Sequence, residues 1–382
     1  MIKTPLKKIA ILGITGSIGN SAITVVRAHQ DRFKIVLASA DSNEKALTRI
    51  IHEFNIPNAV LTGDYNSITD GILAGKTALL DLIASVECDI ILNAVSGSAG
   101  LEYSLATLRA GKDLALANKE SLVMAGHIMM KEAAANNVSI IPVDSEHSAL
   151  LQALGSFTGA DVRKLILTAS GGAFRDLPLS SFSKIDKSMA LKHPTWSMGT
   201  KVTIDSATMM NKGLEIIEAH WLFGIPYDRI EAVLHPQSIV HSLVEFVDGS
   251  LIAQLSRPTM QLPILLAFSW PKRIASDLVR TSLSDMLELS FAPLDETRYP
   301  ILPVVKQCAR EGGLMPTIMN AANEAAIQLF LQDKIHFTDI AKVVEKITSN
   351  ATNIAEPDLD TILQANKTVY EEVMKQEENI YS

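Results

Sequence analysis

Short apolar runs alternate with amphipathic stretches along the first 145 residues. Ile9–Leu12, Phe33–Ala40, Ala59–Leu61, Asp89–Ala94, Lys112–Ala117 and Ser139–Val143 read as strands buried on both faces. Ser17–Ala28, Glu44–Phe54, Leu101–Ala110 and Ser121–Asn136 carry helical spacing between them. Continuous apolar strands alternating with helices predict an α/β domain built on a doubly wound parallel sheet. The pattern then changes. Val162–Leu167 is a strand, but from Ser170 to about Thr200 the periodicity gives way to Gly, Ser and Pro. Compact proteins keep so long an irregular stretch for a functional loop, and a flap is expected there. Ala207–Phe223 reads as one helix. Glu231–Leu234, Ile239–Val247 and Leu251–Leu255 read as strands, the last two joined by an Asp248-Gly249 turn, so the centre is α+β. Pro293, Pro300 and Pro303 mark a linker. Asn320–Gln332, Thr338–Thr348 and the face formed by Leu359, Ile362, Leu363, Asn366, Val369, Tyr370 and Val373 predict a C-terminal helical bundle. The expected division is 1–145, then 146–288 with a flap at about 170–200, a linker at 289–307, and a helical domain at 308–382.

Composition narrows the function. The 382 residues are 47% hydrophobic and 20% charged, which excludes a chain dominated by disorder. Lys and Arg number 34 against 42 acids, a net charge of −8, so a general nucleic-acid binder is excluded. Cys88 and Cys308 are too few for a disulfide framework and suit a reducing compartment. No apolar run reaches the roughly 18 residues of a membrane span. The apolar run ending at Leu12 is too short for a signal-peptide core, and nothing resembling a plastid transit segment precedes it. A bacterial cytoplasmic protein with a small-molecule ligand is the expectation, with neither nucleic acid nor membrane as partner.

Gly13-Ile14-Thr15-Gly16-Ser17-Ile18-Gly19 follows the first strand and opens the first helix. Glycines there let the backbone approach a pyrophosphate, and the helix N-terminus adds N–H donors, as in a Rossmann-type dinucleotide site. Asp41-Ser42-Asn43 ends the second strand. Asp41 suits a ribose diol, Ser42, Asn43 and Lys45 suit a 2′-phosphate, and all of Asp41 to Asn43 suit a helix cap, so NAD and NADP both remain open from the residues alone.

Carboxylates supply the second signal. Asp144 and Glu146 lie two apart after a strand and, in an extended segment, point the same way. Glu215 and Glu218 share one helix face. Two or three such oxygens with water make a Mg²⁺ or Mn²⁺ site, although solvated acids and caps give the same spacing. Asn118-Lys119-Glu120-Ser121 ends another strand, where Lys119 can meet a substrate oxygen. Ser170-Gly171-Gly172 and the trio Ser206, Asn211 and Lys212 offer donors to a phosphate. His193 and Trp196 lie on the expected flap, where they could exclude water. His235 and His241 read as structural, and Met209 and Met210 as packing residues.

Together these blocks carry a resemblance. Gly13–Gly19, Leu116–Val123, Pro142–Ala149 and the run from His193-Pro194-Thr195-Trp196-Ser197-Met198-Gly199 through Asp205–Glu215 resemble the 1-deoxy-D-xylulose 5-phosphate reductoisomerase family over nearly the whole chain. The resemblance implies an NADPH- and metal-dependent enzyme of the non-mevalonate isoprenoid pathway, and a homodimer. It would rearrange and reduce 1-deoxy-D-xylulose 5-phosphate to 2-C-methyl-D-erythritol 4-phosphate. It implies that Asp144, Glu146 and Glu215 bind one Mg²⁺, Mn²⁺ or Co²⁺, and that Lys119, Ser145 and Glu146 lie beside the substrate's oxygens. Ser170, Ser206, Asn211 and Lys212 would hold its phosphate, and His193 and Trp196 would close over it. Thr15, Gly16, Ser17, Ile18, Asn43, Asn118, Glu120 and Gly199 would contact the cofactor. Met198 would lie near the nicotinamide, and Met260 would line the site.

Two positions depart from the family pattern: Asp41-Ser42 lacks a basic residue before Asn43, and Thr259 stands where an acid is frequent. A carboxylate at position 41 would repel a 2′-phosphate unless it turns away. Two rival readings are an NAD(P) oxidoreductase acting on another phosphorylated sugar without rearrangement, and a non-catalytic sugar-phosphate sensor. The three acids together with the flap speak against the first, and the retention of all three against the second.

Overall fold

Apolar runs too short for helices become strands, and the stretches between them become the helices that cover the sheet. The computed structural model describes residues 5–63, 69–196, 198–286 and 288–375, and Ser197 of the long run quoted above lies outside them. In chain order the elements are β1 (Lys7–Leu12), α1 (Ser17–Ala28), β2 (Phe33–Ala40), α2 (Glu44–Phe54), β3 (Asn58–Leu61), β4 (Leu73–Ala74), α3 (Gly75–Ser85), β5 (Ile90–Asn93), α4 (Gly100–Arg109), β6 (Asp113–Leu116), α5 (Lys119–Ala135), β7 (Ile140–Pro142) and α6 (Ser145–Leu154). They continue as β8 (Val162–Ala169), α7 (Lys187–Ala190), α8 (Thr200–Thr208), α9 (Met210–Phe223), β9 (Ile230–Leu234), β10 (Val240–Phe246), β11 (Leu251–Leu255), α10 (Gln261–Ser269), β12 (Ala292–Pro293), α11 (Ile301–Glu311), α12 (Met315–Leu331), α13 (Asp339–Ser349) and α14 (Leu359–Lys375).

The chain divides into two compact units. The first comprises Met1–Asn118, Met129–Ser148 and Thr259–Thr281. Its core is a parallel sheet of order β4-β3-β2-β1-β5-β6-β7. β1 is central, with Ile9 in register with Ile35 on one side and Ile90 on the other. Ile9, Ala10, Ile11 and Leu12 are completely buried, which is why this strand is apolar on both faces. The sheet reverses its winding between β1 and β5, the switch point where such sheets bind ligands. α10 joins this unit and packs against α1. Its buried Phe268 meets Phe33 edge-on at 5.8 Å.

The second unit comprises Lys119–Ile128, Ala149–Pro258 and Ser282–Ser382. Its sheet has the order β11-β10-β8-β9-β12. β8 pairs antiparallel with β10 and parallel with β9. Leu165 and Leu167 of β8, Val244 of β10 and Ile216 and Ala219 of α9 form one buried cluster. α12 is buried almost all round, with α11, α13 and α14 packed on it, as befits the central helix of a bundle. Among the described residues no helix is long and apolar enough to cross a membrane.

Two expectations change at the structural level. The helix expected over Ala207–Phe223 is two helices, broken where Met209 takes a left-handed conformation (φ 71°). Its side chain is buried, so packing outweighs the local preference of a non-glycine residue. The stretch from 170 to 200 is also not uniform. Its first part is pinned: Phe174 stacks edge-on to Phe337 at 5.0 Å, and Phe182 and Phe330 join the same cluster. Arg298 Nη1 donates to the carbonyls of Phe174 (2.9 Å) and Leu177 (2.7 Å), and Tyr299 donates to that of Gly171 (2.9 Å). Among the described residues that follow, Leu191, Lys192, Pro194, Thr195 and Gly199 are exposed, and His193, Trp196 and Met198 are half-buried.

Phe174→Ala is expected to lower the unfolding free energy of the second unit by about 3–5 kcal/mol. Urea titration checks this, and an unchanged midpoint would show that the aromatic cluster does not anchor this segment.

Candidate active site

In the first unit the glycine loop lies at the end of β1, at the switch point. Gly13 has φ 79°, and a Cβ there would meet the Ala94 carbonyl oxygen at 2.7 Å, so only glycine fits against the end of β5. At Gly19 a Cβ would meet the Ile14 carbonyl at 2.3 Å, which keeps α1 close against its own strand. Gly16 is the N-cap of α1 and brings no side-chain oxygen to the helix N–H groups, as suits a helix end that receives an anion. Asn20 was missed from sequence; its amide donates to the carbonyls of Thr15 (3.1 Å) and Gly16 (2.8 Å) and fixes the loop. Its only sequence signal is its position one turn after Gly16. Asn118 donates to the carbonyls of Val95 and Gly97, both at 2.8 Å, and so ties the end of β6 to that of β5. Asn43 caps α2 by accepting from Ala46 N at 3.1 Å, so of the roles open to it the structure displays the cap. Asp41 packs its carboxylate on Gly63, where a Cβ would meet Oδ1 at 2.4 Å.

Asp144-Ser145-Glu146 is not extended: Ser145 starts α6, so Asp144 precedes the helix and Glu146 lies in its first turn. The two acids still share one locality, because Asp144 Oδ1 accepts from Glu146 N at 3.1 Å. Ser145 Oγ donates to Glu146 Oε2 at 2.5 Å. His147, completely buried, sets its Nδ1 3.2 Å from Asp144 Oδ1 and orients that carboxylate. Met260 lies in this unit too, as the residue before α10.

In the second unit Lys119 starts α5, and Asn211, Lys212 and Glu215 lie on the first turns of α9. Lys119 Nζ donates to Asn211 Oδ1 at 2.8 Å and reaches Glu215 Oε1 at 3.2 Å. Lys212 and Asn211 also donate to the Glu215 carboxylate, which is 1% exposed. Spacings of four and three residues on α9 put Asn211 and Lys212 beside Glu215. Glu218 is buried farther along the same helix.

The phosphate candidates Ser170 and Ser206 are brought together by backbone. Gly171 (φ 90°) and Gly172 (φ 67°) turn the chain after β8, and a Cβ on Gly172 would meet the Ser206 carbonyl at 2.5 Å. His193 links this turn to the exposed segment. Its Nδ1 accepts from Thr195 N (3.1 Å) and Trp196 N (2.9 Å), so its proton sits on Nε2, which donates to Ser170 Oγ at 3.1 Å. Burial pushes the His193 pKa down to about 4, so the ring is neutral near pH 7. Trp196 lies 6.1 Å from the ring of buried His241. Gly199 caps α8 one residue after Met198. Glu120 is engaged by Lys201, a residue sequence reasoning passed over. His235 is structural: its Nε2 accepts from Ile239 N and Val240 N, and its Nδ1 donates to the Ser290 carbonyl. Met209 and Met210 are core.

The parallel sheet, glycine loop and uncapped helix start of the first unit define a dinucleotide-binding domain of the kind oxidoreductases carry. Three family profiles match the chain. That of 1-deoxy-D-xylulose 5-phosphate reductoisomerase covers residues 9–126, its C-terminal domain covers 140–223, and the DXP reductoisomerase C-terminal domain covers 255–372. The 1-deoxy-D-xylulose 5-phosphate reductoisomerase of Listeria welshimeri is 45% identical over 95% of this chain and 97% of its own. That of Microcystis aeruginosa is 44% identical over 96% of this chain and 98% of its own. The enzyme from Zymomonas mobilis, solved with NADPH, superposes with a TM-score of 0.90 at 37% identity, covering 98% of this chain and all of that one. A DOX-P reductoisomerase solved with NADPH, fosmidomycin and magnesium gives a TM-score of 0.92 at 36% identity, covering 99% of this chain and all of that one. The chain belongs to the 1-deoxy-D-xylulose 5-phosphate reductoisomerase family.

A neutral His193 in the fold has a pH signature. Its folded pKa lies below the 6.5 of the unfolded residue, so its contribution to stability is present above pH 6.5 and is lost as pH falls toward 4. His193→Asn keeps an acceptor for the two N–H groups and does not titrate. Unfolding free energy measured between pH 6.5 and 4 should therefore depend less on pH in the variant, and identical slopes would refute the neutral, turn-capping ring.

Proposed function

We infer that the chain converts 1-deoxy-D-xylulose 5-phosphate to 2-C-methyl-D-erythritol 4-phosphate, with NADPH as reductant and a divalent cation, Mg²⁺ or Mn²⁺ and by the same chemistry Co²⁺, as Lewis acid. The observation that carries this is the full-length agreement with a family whose solved members hold NADPH and magnesium.

The residues fit both groups. A backbone cradle that a Cβ at Gly13 would fill, beside a helix N-terminus, suits a pyrophosphate. Three carboxylates are hard oxygen donors of the type Mg²⁺ and Mn²⁺ prefer. Asp144, Glu146 and Glu215 would hold the ion, with His147 orienting Asp144. Thr15, Gly16, Ser17, Ile18, Asn43, Asn118, Glu120, Met198 and Gly199 would meet the cofactor. When bound, the ion supplies Lewis acidity at the substrate's oxygens and NADPH supplies the hydride.

The chain's own residues do the rest. Lys119 presents an ammonium held in place by Asn211 and Glu215, and with Ser145 would bind the reacting hydroxyl and carbonyl oxygens. Ser170, Ser206, Asn211 and Lys212 would anchor the phosphate, a non-reacting end whose binding orients the reacting one. His193 donates from Nε2 toward that anchor while its Nδ1 shapes the turn carrying Trp196, so phosphate binding and closure of Leu191–Gly199 would be linked. Closure with Met260 lining the site would exclude water from a reactive aldehyde. We further propose that 1–145 serves the cofactor, 146–288 the substrate and 308–382 the bundle after a linker at 289–307, and that the enzyme works as a cytoplasmic bacterial homodimer.

Purified protein given 1-deoxy-D-xylulose 5-phosphate, NADPH and Mn²⁺ should oxidise NADPH, faster than NADH, and form a branched polyol phosphate. EDTA should abolish the reaction, and restored Mn²⁺ should return it. Folded, metal-loaded protein that oxidises neither nucleotide would overturn this reading.

A further inference from the structure

Lys201 lies in the first turn of α8, two residues after Gly199, where the exposed segment ends. Its ammonium meets Glu120 Oε1 of α5 at 2.7 Å and Asp205 Oδ2, one turn along α8, at 2.8 Å. Asp205 Oδ1 accepts from Asn323 Nδ2 of α12 at 2.8 Å. Glu120 is 5% exposed and Asp205 1%. Burial alone would discharge Lys201, but the carboxylates of Asp205, Glu120 and Glu324 outweigh it and hold the ammonium well above the usual lysine range. The same ammonium keeps Glu120 ionised against its own burial. One cation thus ties together the first turn of α5, the length of α8 and the centre of the helical bundle.

What it ties matters for the site. Glu120 directly follows Lys119, whose ammonium reaches Asn211 and Glu215. Asp205 directly precedes Ser206, on which Gly172 packs. The Lys201 ammonium donates to Glu120 and Asp205, so its influence on the substrate residues runs through these two neighbours of Lys119 and Ser206. Without its charge these two buried carboxylates face one another uncompensated, and the cheapest relief is to part α5 from α8.

We propose that Lys201 is a positioning residue, clamping Glu120 to Asp205 so that Lys119 on α5 and Ser206 on α8 stay in register for the reaction. This rests on the function proposed above. Lys201→Met fills the same space without the charge. Its kcat per folded molecule should fall on the order of a hundredfold, the cost of a misplacement near 1 Å, while the substrate KM moves far less. Lys201→Arg restores the charge and should recover most of that loss. A purely structural lysine would lower Tm and the folded fraction but leave kcat per folded molecule unchanged. If Lys201→Met does not fold, Asp205→Asn removes one arm of the clamp and should lower kcat at an unchanged substrate KM. Wild-type kcat in either folded variant overturns the clamp alone, whereas wild-type protein with no activity overturns the clamp and the proposed function together.

Discussion

A carboxylate buried to 1% exposure needs compensating charge, and Glu215 has it from two lysines and an amide. Removing one partner from such a pair typically costs about 3–5 kcal/mol, because the other charge stays buried. That constraint organises the second unit. It holds Lys119 at the start of α5 against the first turns of α9, which begins after the left-handed Met209. A continuous helix through Met209 would keep Asn211, Lys212 and Glu215 on the axis of Ser206, and the break gives them an axis of their own. The left-handed residue therefore belongs to the design of the site as much as to the packing of the core.

The candidate site residues stand at the ends of elements. Gly13 to Ile18 follow β1, Asn118 and Lys119 follow β6, Asp144 to Glu146 follow β7, and Ser170 follows β8. Strand ends supply rigid positions, and the helix starts that follow them supply N–H donors and a favourable dipole for anions. Aromatic packing pins the 170–200 stretch around Phe174, and His193 ties Thr195 and Trp196 to Ser170.

Much of this was legible in the chain because several signals agreed. Ser17–Ala28, Phe33–Ala40 and Glu44–Phe54 match the observed elements residue for residue, since apolar period, the cap at Asn43 and the left-handed stop at Asn55 coincide. The candidate site residues were legible as types at strand ends, and the family resemblance gave them roles. Other features had no local signal. Asp144-Ser145-Glu146 fits strand and helix start equally well, and long-range packing chose the helix. The apolar run Leu262–Trp270 carries no local sign that α10 packs against α1 in the first unit. Lys201 carries no local sign of its partner Glu120, which lies 81 residues away in sequence. Phe174 gave no hint of Phe337 for the same reason.

The central claim is that Asp144, Glu146 and Glu215 act together on one divalent ion. Titration with Mn²⁺, following the electron paramagnetic resonance signal of the free ion, tests it most directly. Wild-type protein should take up one Mn²⁺ per chain, and Glu215→Gln and Asp144→Asn, each the size of the residue it replaces, should both lose that site. Wild-type affinity in both folded variants would contradict the account.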